Sequence, residues 1–126
     1  MRVHVVGGPT VLLEVGGLRL LTDPTFSPAG NHETTPGRPL TKTEDPAISL
    51  ATIGSIDAVL LSHDQHADNL DPAGYAVVAA VPLTLTTPAA AERLGGTSIV
   101  IAAGQDQLQR EFDPAGVTVD VRVSGL

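Results

Sequence analysis

The sequence predicts an α/β fold in which helices pack on a sheet and the chain opens with an antiparallel hairpin. Three observations carry that expectation. Two apolar runs, Thr10 to Val15 and Leu18 to Thr22, flank Gly16-Gly17, and a Gly pair supplies the positive φ that a two-residue hairpin turn demands. From Asp57 onward strand-like and helix-like segments alternate, the pattern of a layered sheet with helices on it. Proline follows Asp71 and Thr87, marking the first position of two helices directly after capping residues.

In order, Val3 to Val6 reads as a short strand ended by Gly7-Gly8-Pro9. After the hairpin, Asp23-Pro24 forms a turn. From there to Leu50, residues 24–50, the chain is rich in Pro, Gly and Thr without periodicity, and is expected to be a long loop, either a substrate-covering segment or a plain connector. Ala58 to Leu61 is a buried strand. Ala73 to Val81 continues a helix stopped by Pro82, Leu83 to Thr86 is a strand, and Ala89 to Leu94 is a short helix ended by Gly95-Gly96. Ser98 to Ala102 is another strand. Leu108 to Phe112 and Val117 to Val123, around a turn at Asp113 to Gly116, form a second hairpin.

A chain of 126 residues suits one domain, 1–126. Aromatics are only 2%, so the core must be built from small aliphatic side chains. The net charge of −7, with seven dispersed Lys and Arg, offers no basic stripe for nucleic acid. There is no cysteine, so a metal would be held by imidazole, carboxylate, amide or water, which suits zinc, manganese or iron. No segment reaches membrane-spanning length and none has a leader pattern, so a cytoplasmic location without membrane contact is expected.

Chemistry concentrates in one stretch, Asp57 to Asp71, reading DAVLLSHDQHADNLD. His63, Asp64, His66, Asp68 and Asn69 lie in one loop leaving the carboxyl end of an apolar strand, where several donors can be aimed at one point. Asp71, just before Pro72, is better explained as a helix cap. Asp23 follows an apolar strand and could approach that loop, although its Asp-Pro turn explains it better; His4 is explained as a packed or edge residue of a strand, and His32 lies in the long loop, from which it could reach a substrate. Gly7-Gly8-Pro9-Thr10 lacks the Lys-Ser/Thr pair and the helix of a phosphate loop. Ser62 has no nucleophile elbow around it and is read as a loop support.

SHDQHADNLD resembles the metal-binding loop of the metallo-β-lactamase-fold hydrolases, whose signature is His-x-His-x-Asp-His, in the branch of the ascorbate-6-phosphate lactonases. GGPTVLLEVGGLRLLTDPTF is similar to the opening hairpin and Thr-Asp-Pro turn of that branch. The resemblance implies an αββα sandwich, here about its first half, and a zinc-dependent hydrolase cleaving an ester, lactone or phosphoester of a small-molecule substrate through a metal-bound hydroxide. It places His66 and Asp68 as ligands, with Asp68 also orienting the attacking water. Aligned from the right, Asp64 stands where the first histidine belongs and Asn69 replaces the last one; aligned from the left, His63 is the first histidine, Gln65 replaces the second and the loop holds one extra residue. Asn69 would be a weaker donor than imidazole. Family members are about twice as long and take two more histidines and a bridging aspartate from a second half without counterpart here. The resemblance therefore also implies an apolar sheet face that pairs with a second copy or a complementing chain, and an alternative role as a non-catalytic half-domain.

Overall fold

The computed structural model describes residues 1–35, 38–95, 98–100, 107–112 and 117–122. The first three strands, β1 (Arg2–Gly7), β2 (Thr10–Val15) and β3 (Leu18–Thr22), form an antiparallel meander. Gly16 and Gly17 turn the second hairpin with φ of 57° and 80°, values that cost a residue with a Cβ. The chain then leaves the sheet for a separate two-stranded ribbon, β4 (Gly30–Thr35) and β5 (Arg38–Lys42), paired antiparallel from Gly30 opposite Lys42 to Thr35 opposite Arg38.

Residues 24–50 are therefore not a structureless loop, as the sequence led us to expect. They contain this ribbon, and the helix α1 (Leu50–Ile53) begins at their end. Glycine at the first position and Pro39 inside β5 hid the strands. Both residues are tolerated because a two-stranded ribbon is all edge and leaves backbone donors free of a ladder.

The chain rejoins the sheet with β6 (Ala58–Leu60), which lies parallel to β3, and the order α2 (Pro72–Ala80), β7 (Thr84–Thr86), α3 (Pro88–Leu94), β8 (Ser98–Val100) adds two more parallel strands. The result is a mixed six-stranded sheet in the order β1-β2-β3-β6-β7-β8. The final hairpin, β9 (Gln107–Phe112) and β10 (Val117–Arg122), is a sheet of its own. The expected ends of two strands, at Ile101-Ala102 and Val123, and the turn at Asp113 to Gly116, lie outside the described residues.

Both main helices begin as their sequences dictate. The Asp71 side chain accepts a hydrogen bond from the Gly74 N–H, and the Thr87 side chain accepts one from Ala90. Proline at the first position of each costs nothing, because that N–H would be unpaired anyway. One face of the sheet, with Leu12, Leu21, Val59 and Leu61, packs on Val77, Val78 and Val81 of α2 and its cap, with Phe26, Ile53 and Leu70 closing the sides. Each such aliphatic side chain contributes about 1.5–3 kcal/mol when fully buried. The opposite face carries a smaller cluster, Leu18, Leu20 and Ala58 with Leu13, Val15 and Leu83 against them. Along it toward the sheet edge, Val3 and Val5 are 53% and 64% exposed.

Candidate functional site

Parallel pairing of β3 with β6 brings the carboxyl ends of both strands to one edge of the sheet. In sheets of this kind that edge is where ligands bind. Asp23 follows β3 there, and Ser62 and His63 follow β6, so residues some forty positions apart in sequence meet.

Asp23 has φ of 30°, a left-handed conformation that Asp tolerates better than most residues. Its carboxylate accepts hydrogen bonds from the Ser62 N–H at 2.7 Å, the Ser62 hydroxyl at 3.0 Å and the Asn69 amide nitrogen at 3.3 Å. The Ser62 Oγ also lies 3.0 Å from Asn69 Nδ2 and 3.0 Å from His63 Nδ1. Ser62 is thus the loop support that the sequence indicated. The other edge of the His63 ring faces His66, with Nε2 3.3 Å from Nδ1 and the two rings at 87°.

The remaining predicted donors turn elsewhere. The buried carboxylate of Asp64 is gripped by Arg93 of α3, whose Nε donates to both oxygens, at 2.8 Å to Oδ2 and 3.1 Å to Oδ1. The Arg93 guanidinium holds the Asp64 carboxyl below the usual carboxylate range, against an opposing push from burial, and Asp64 in turn raises Arg93. Tyr75 adds a hydrogen bond from its hydroxyl to the Asp64 carbonyl at 3.2 Å. Asn69 directs its amide nitrogen to Asp23 and Ser62. Asp68 is exposed and lines a cavity of about 310 Å³, together with Gly7 to Pro9, Thr25, His32, Lys42 and Ala67.

Asp71 caps α2 and does more, accepting from Phe26 N at 3.1 Å and Ser27 N at 2.7 Å. His4 pairs with Glu14 at 2.7 Å on the edge strand, and His32 contacts the Pro28 carbonyl at 2.7 Å. One partner, Arg93, was missed in sequence, because its target lies 29 residues away. Asp23 was open in sequence to an approach to this loop, and the structure brings its carboxylate there.

The donor set permits a direct test of metal fit. Two imidazole nitrogens bound at 2.0–2.1 Å to one tetrahedral zinc ion stand about 3.3–3.4 Å apart. His63 Nε2 and His66 Nδ1 have that separation. No third donor joins them: among the described residues no group of three or more His, Asp or Glu converges to hold a metal ion. The separation of the pair, and that alone, is the one two corners of such a site require. Likewise, no helix among the described residues is long and apolar enough to cross a membrane.

The Asp64–Arg93 pair makes a pH-dependent prediction. A carboxylate whose folded-state pKa is depressed contributes stability that is fully present above its unfolded value, about 3.9, and is lost as pH falls through the lower folded value. Asp64→Asn is therefore expected to be less stable than the parent at pH 7, with the difference shrinking below about pH 4. Urea unfolding of both chains across that range checks it; a difference independent of pH would dissociate the pair from acid stability.

With this geometry in place, the chain can be set beside known proteins. The solved structure of an isothiocyanate hydrolase from Delia radicum gut bacteria matches it with a TM-score of 0.63 at 21% identity, over 86% of this chain and 43% of that one. The chain has the fold of part of a hydrolase. Over 71 residues, 56% of its length, it is 40% identical to uncharacterized proteins of Mycobacterium tuberculosis and Mycobacterium bovis, and that segment is 18% of each relative. The chain thus spans less than half of the hydrolase, and the match to the mycobacterial proteins covers under a fifth of their length. No protein-family profile matches it.

Proposed function

We propose that this chain carries one wall of a hydrolytic metal site of the metallo-β-lactamase fold, acting on an ester, lactone or phosphoester. The observation that carries the reading is the 3.3 Å approach of His63 Nε2 to His66 Nδ1 at the carboxyl edge of the sheet. Its likeness in fold to part of a hydrolase supports the reaction class. In this reading His63 and His66 are the two paired histidines of the signature, with one residue more between them than the family has. Asp68 stands at the position of the aspartate that in the family helps hold metal and orients the attacking water; here it lines the cavity and would have to turn to the histidines to do so. Asp64 is withdrawn by Arg93, and Asn69 braces the loop from behind.

A bound zinc-like ion, or manganese or iron, would polarise the scissile bond and lower the pKa of water. In this reading the cavity that Asp68 lines, which neither His63 nor His66 lines, would receive the substrate. A second reading is a non-catalytic half-domain that pairs with a second copy or a complementing chain. It is favoured by the apolar second face of the sheet, where Val3 pairs with Leu13 and Leu13 with Leu20, and where Val3 and Val5 lie open.

One preparation, purified without chelator, separates the two. At a hundredfold excess over its Kd, zinc is expected to stabilise the fold by about 2.7 kcal/mol. At about 4 °C per kcal/mol, the value between the ranges for smaller and larger domains, this is a rise of about 11 °C in Tm. His63→Ala and His66→Ala should each abolish the rise. An unchanged melting temperature with no metal in the protein would overturn the metal site, and a metal-free dimer by light scattering would favour the pairing role.

A further inference from the structure

The hydrogens around Ser62 can be assigned by counting, and the count determines which nitrogen of His63 is bare. A serine hydroxyl has one hydrogen to give and two lone pairs to receive with. Three groups surround Ser62 Oγ: a carboxylate oxygen of Asp23, which can only accept; the amide nitrogen of Asn69, which can only donate; and His63 Nδ1, which can do either. The single hydroxyl hydrogen goes to Asp23. The two lone pairs then receive one N–H from Asn69 and one from His63 Nδ1. Flipping the Asn69 amide would set its oxygen against the Asp23 carboxylate, so the network itself fixes that orientation.

We propose that Ser62, oriented by Asp23 and Asn69, is a positioning residue that locks His63 in the Nδ1–H tautomer, so that Nε2 presents its lone pair toward His66. The use of that lone pair as a metal donor rests on the function proposed above; the tautomer does not. Outer partners of this kind commonly change metal affinity by about 10–100-fold when removed, because they fix the ring and its basicity.

Asp23→Asn combined with Asn69→Ala makes the sharpest test, because the same count reverses. The Ser62 N–H, 2.7 Å from Asp23 Oδ1, requires the amide oxygen on that side and so places the new NH₂ opposite the Ser62 hydroxyl. With Asn69 present its amide would flip away from that NH₂, 3.3 Å off, and accept the hydroxyl hydrogen; with alanine there the hydroxyl receives from the new amide and its hydrogen turns to His63 Nδ1. The ring then carries its proton on Nε2 instead. Asparagine accepts the left-handed backbone at this position as aspartate does, so the fold is expected to survive.

The measurement is a long-range proton–nitrogen correlation spectrum of the ¹⁵N-labelled, metal-free chain at a pH about two units above the ordinary imidazole pKa of about 6.5. The expected result is a protonated Nδ1 and a bare Nε2 for His63 in the parent and in Asn69→Ala, inverted in the Asp23→Asn/Asn69→Ala double variant and partly shifted toward Nε2–H in Ser62→Ala, with zinc Kd raised about 10–100-fold in the last two variants. A parent His63 protonated on Nε2 would overturn the inference outright, whatever the variants do. An unchanged tautomer in the double variant would overturn the role of Ser62. A correct tautomer whose Nε2 signal ignores added zinc would leave this inference standing and sink the metal reading alone.

Discussion

Replacing Asp71 by alanine is expected to destabilise the fold by about 3–5 kcal/mol, far beyond the loss of an ordinary helix cap, which costs about 1 kcal/mol. The reason is the second set of bonds. Asp71 is 2% exposed, and its carboxylate accepts from Phe26 N and Ser27 N as well as from Gly74 N. Each buried N–H left without an acceptor costs about 1–3 kcal/mol. Asp71→Asn keeps an oxygen for Gly74 and Phe26, both bonded to Oδ1, but loses the acceptor of Ser27 and the negative charge whose Oδ2 lies 3.8 Å from Lys42 Nζ, so less than half the effect should return. Urea unfolding gives the comparison. A loss near 1 kcal/mol in Asp71→Ala would mean that capping is the whole role of this residue.

Gly74→Ala is expected to reverse the usual sign. Inside an exposed helix this change stabilises by about 1 kcal/mol. Gly74 lies in the first turn of α2, where an added Cβ would overlap the carbonyl oxygen of Pro24 and stand 3.0 Å from Leu70 Cδ1. The obstacle is backbone, which cannot rotate away, so a loss of about 3 kcal/mol is expected, at the upper end of ordinary overpacking costs. The displaced Pro24 would drag Asp23 from Ser62. If the proposed metal reading holds, a smaller response to zinc should accompany the lower melting temperature; a variant as stable as the parent would show that the helix stands off the turn.

The elements were legible because their signals are local. Gly16-Gly17, the Asp71-Pro72 and Thr87-Pro88 caps and the apolar run of Ala58 to Leu61 each announce a structure within a few residues, and hairpin, helices and central strand lie where those signals put them. The ribbon of β4 and β5 was missed because Gly30 and Pro39 are poor strand residues, and only pairing with each other's strand makes the segment extended.

The site was legible as a neighbourhood and not as a geometry. Whether His63 or Asp64 stands beside His66 could not be read from spacing, since a shift of one residue exchanges them. What separates them in the fold is Arg93, which withdraws Asp64 from 29 positions away. Asp23 could be placed near the loop but not given its contact. Its turn-forming role was the better local explanation, and only the parallel pairing of β3 with β6 aims its carboxylate at Ser62.

The two aspartates at the ends of this region brace each other's segments: Asp23, on the first, holds Ser62 and Asn69, while Asp71, on the second, holds Phe26 and Ser27. The histidine loop is accordingly not portable. A peptide spanning Asp57 to Asp71, or the same fifteen residues grafted onto another strand, would carry every donor atom yet lack the carboxylate that orients Ser62 and the backbone that Asp71 clasps. Anyone transplanting this loop would need to move residues 22–27 with it.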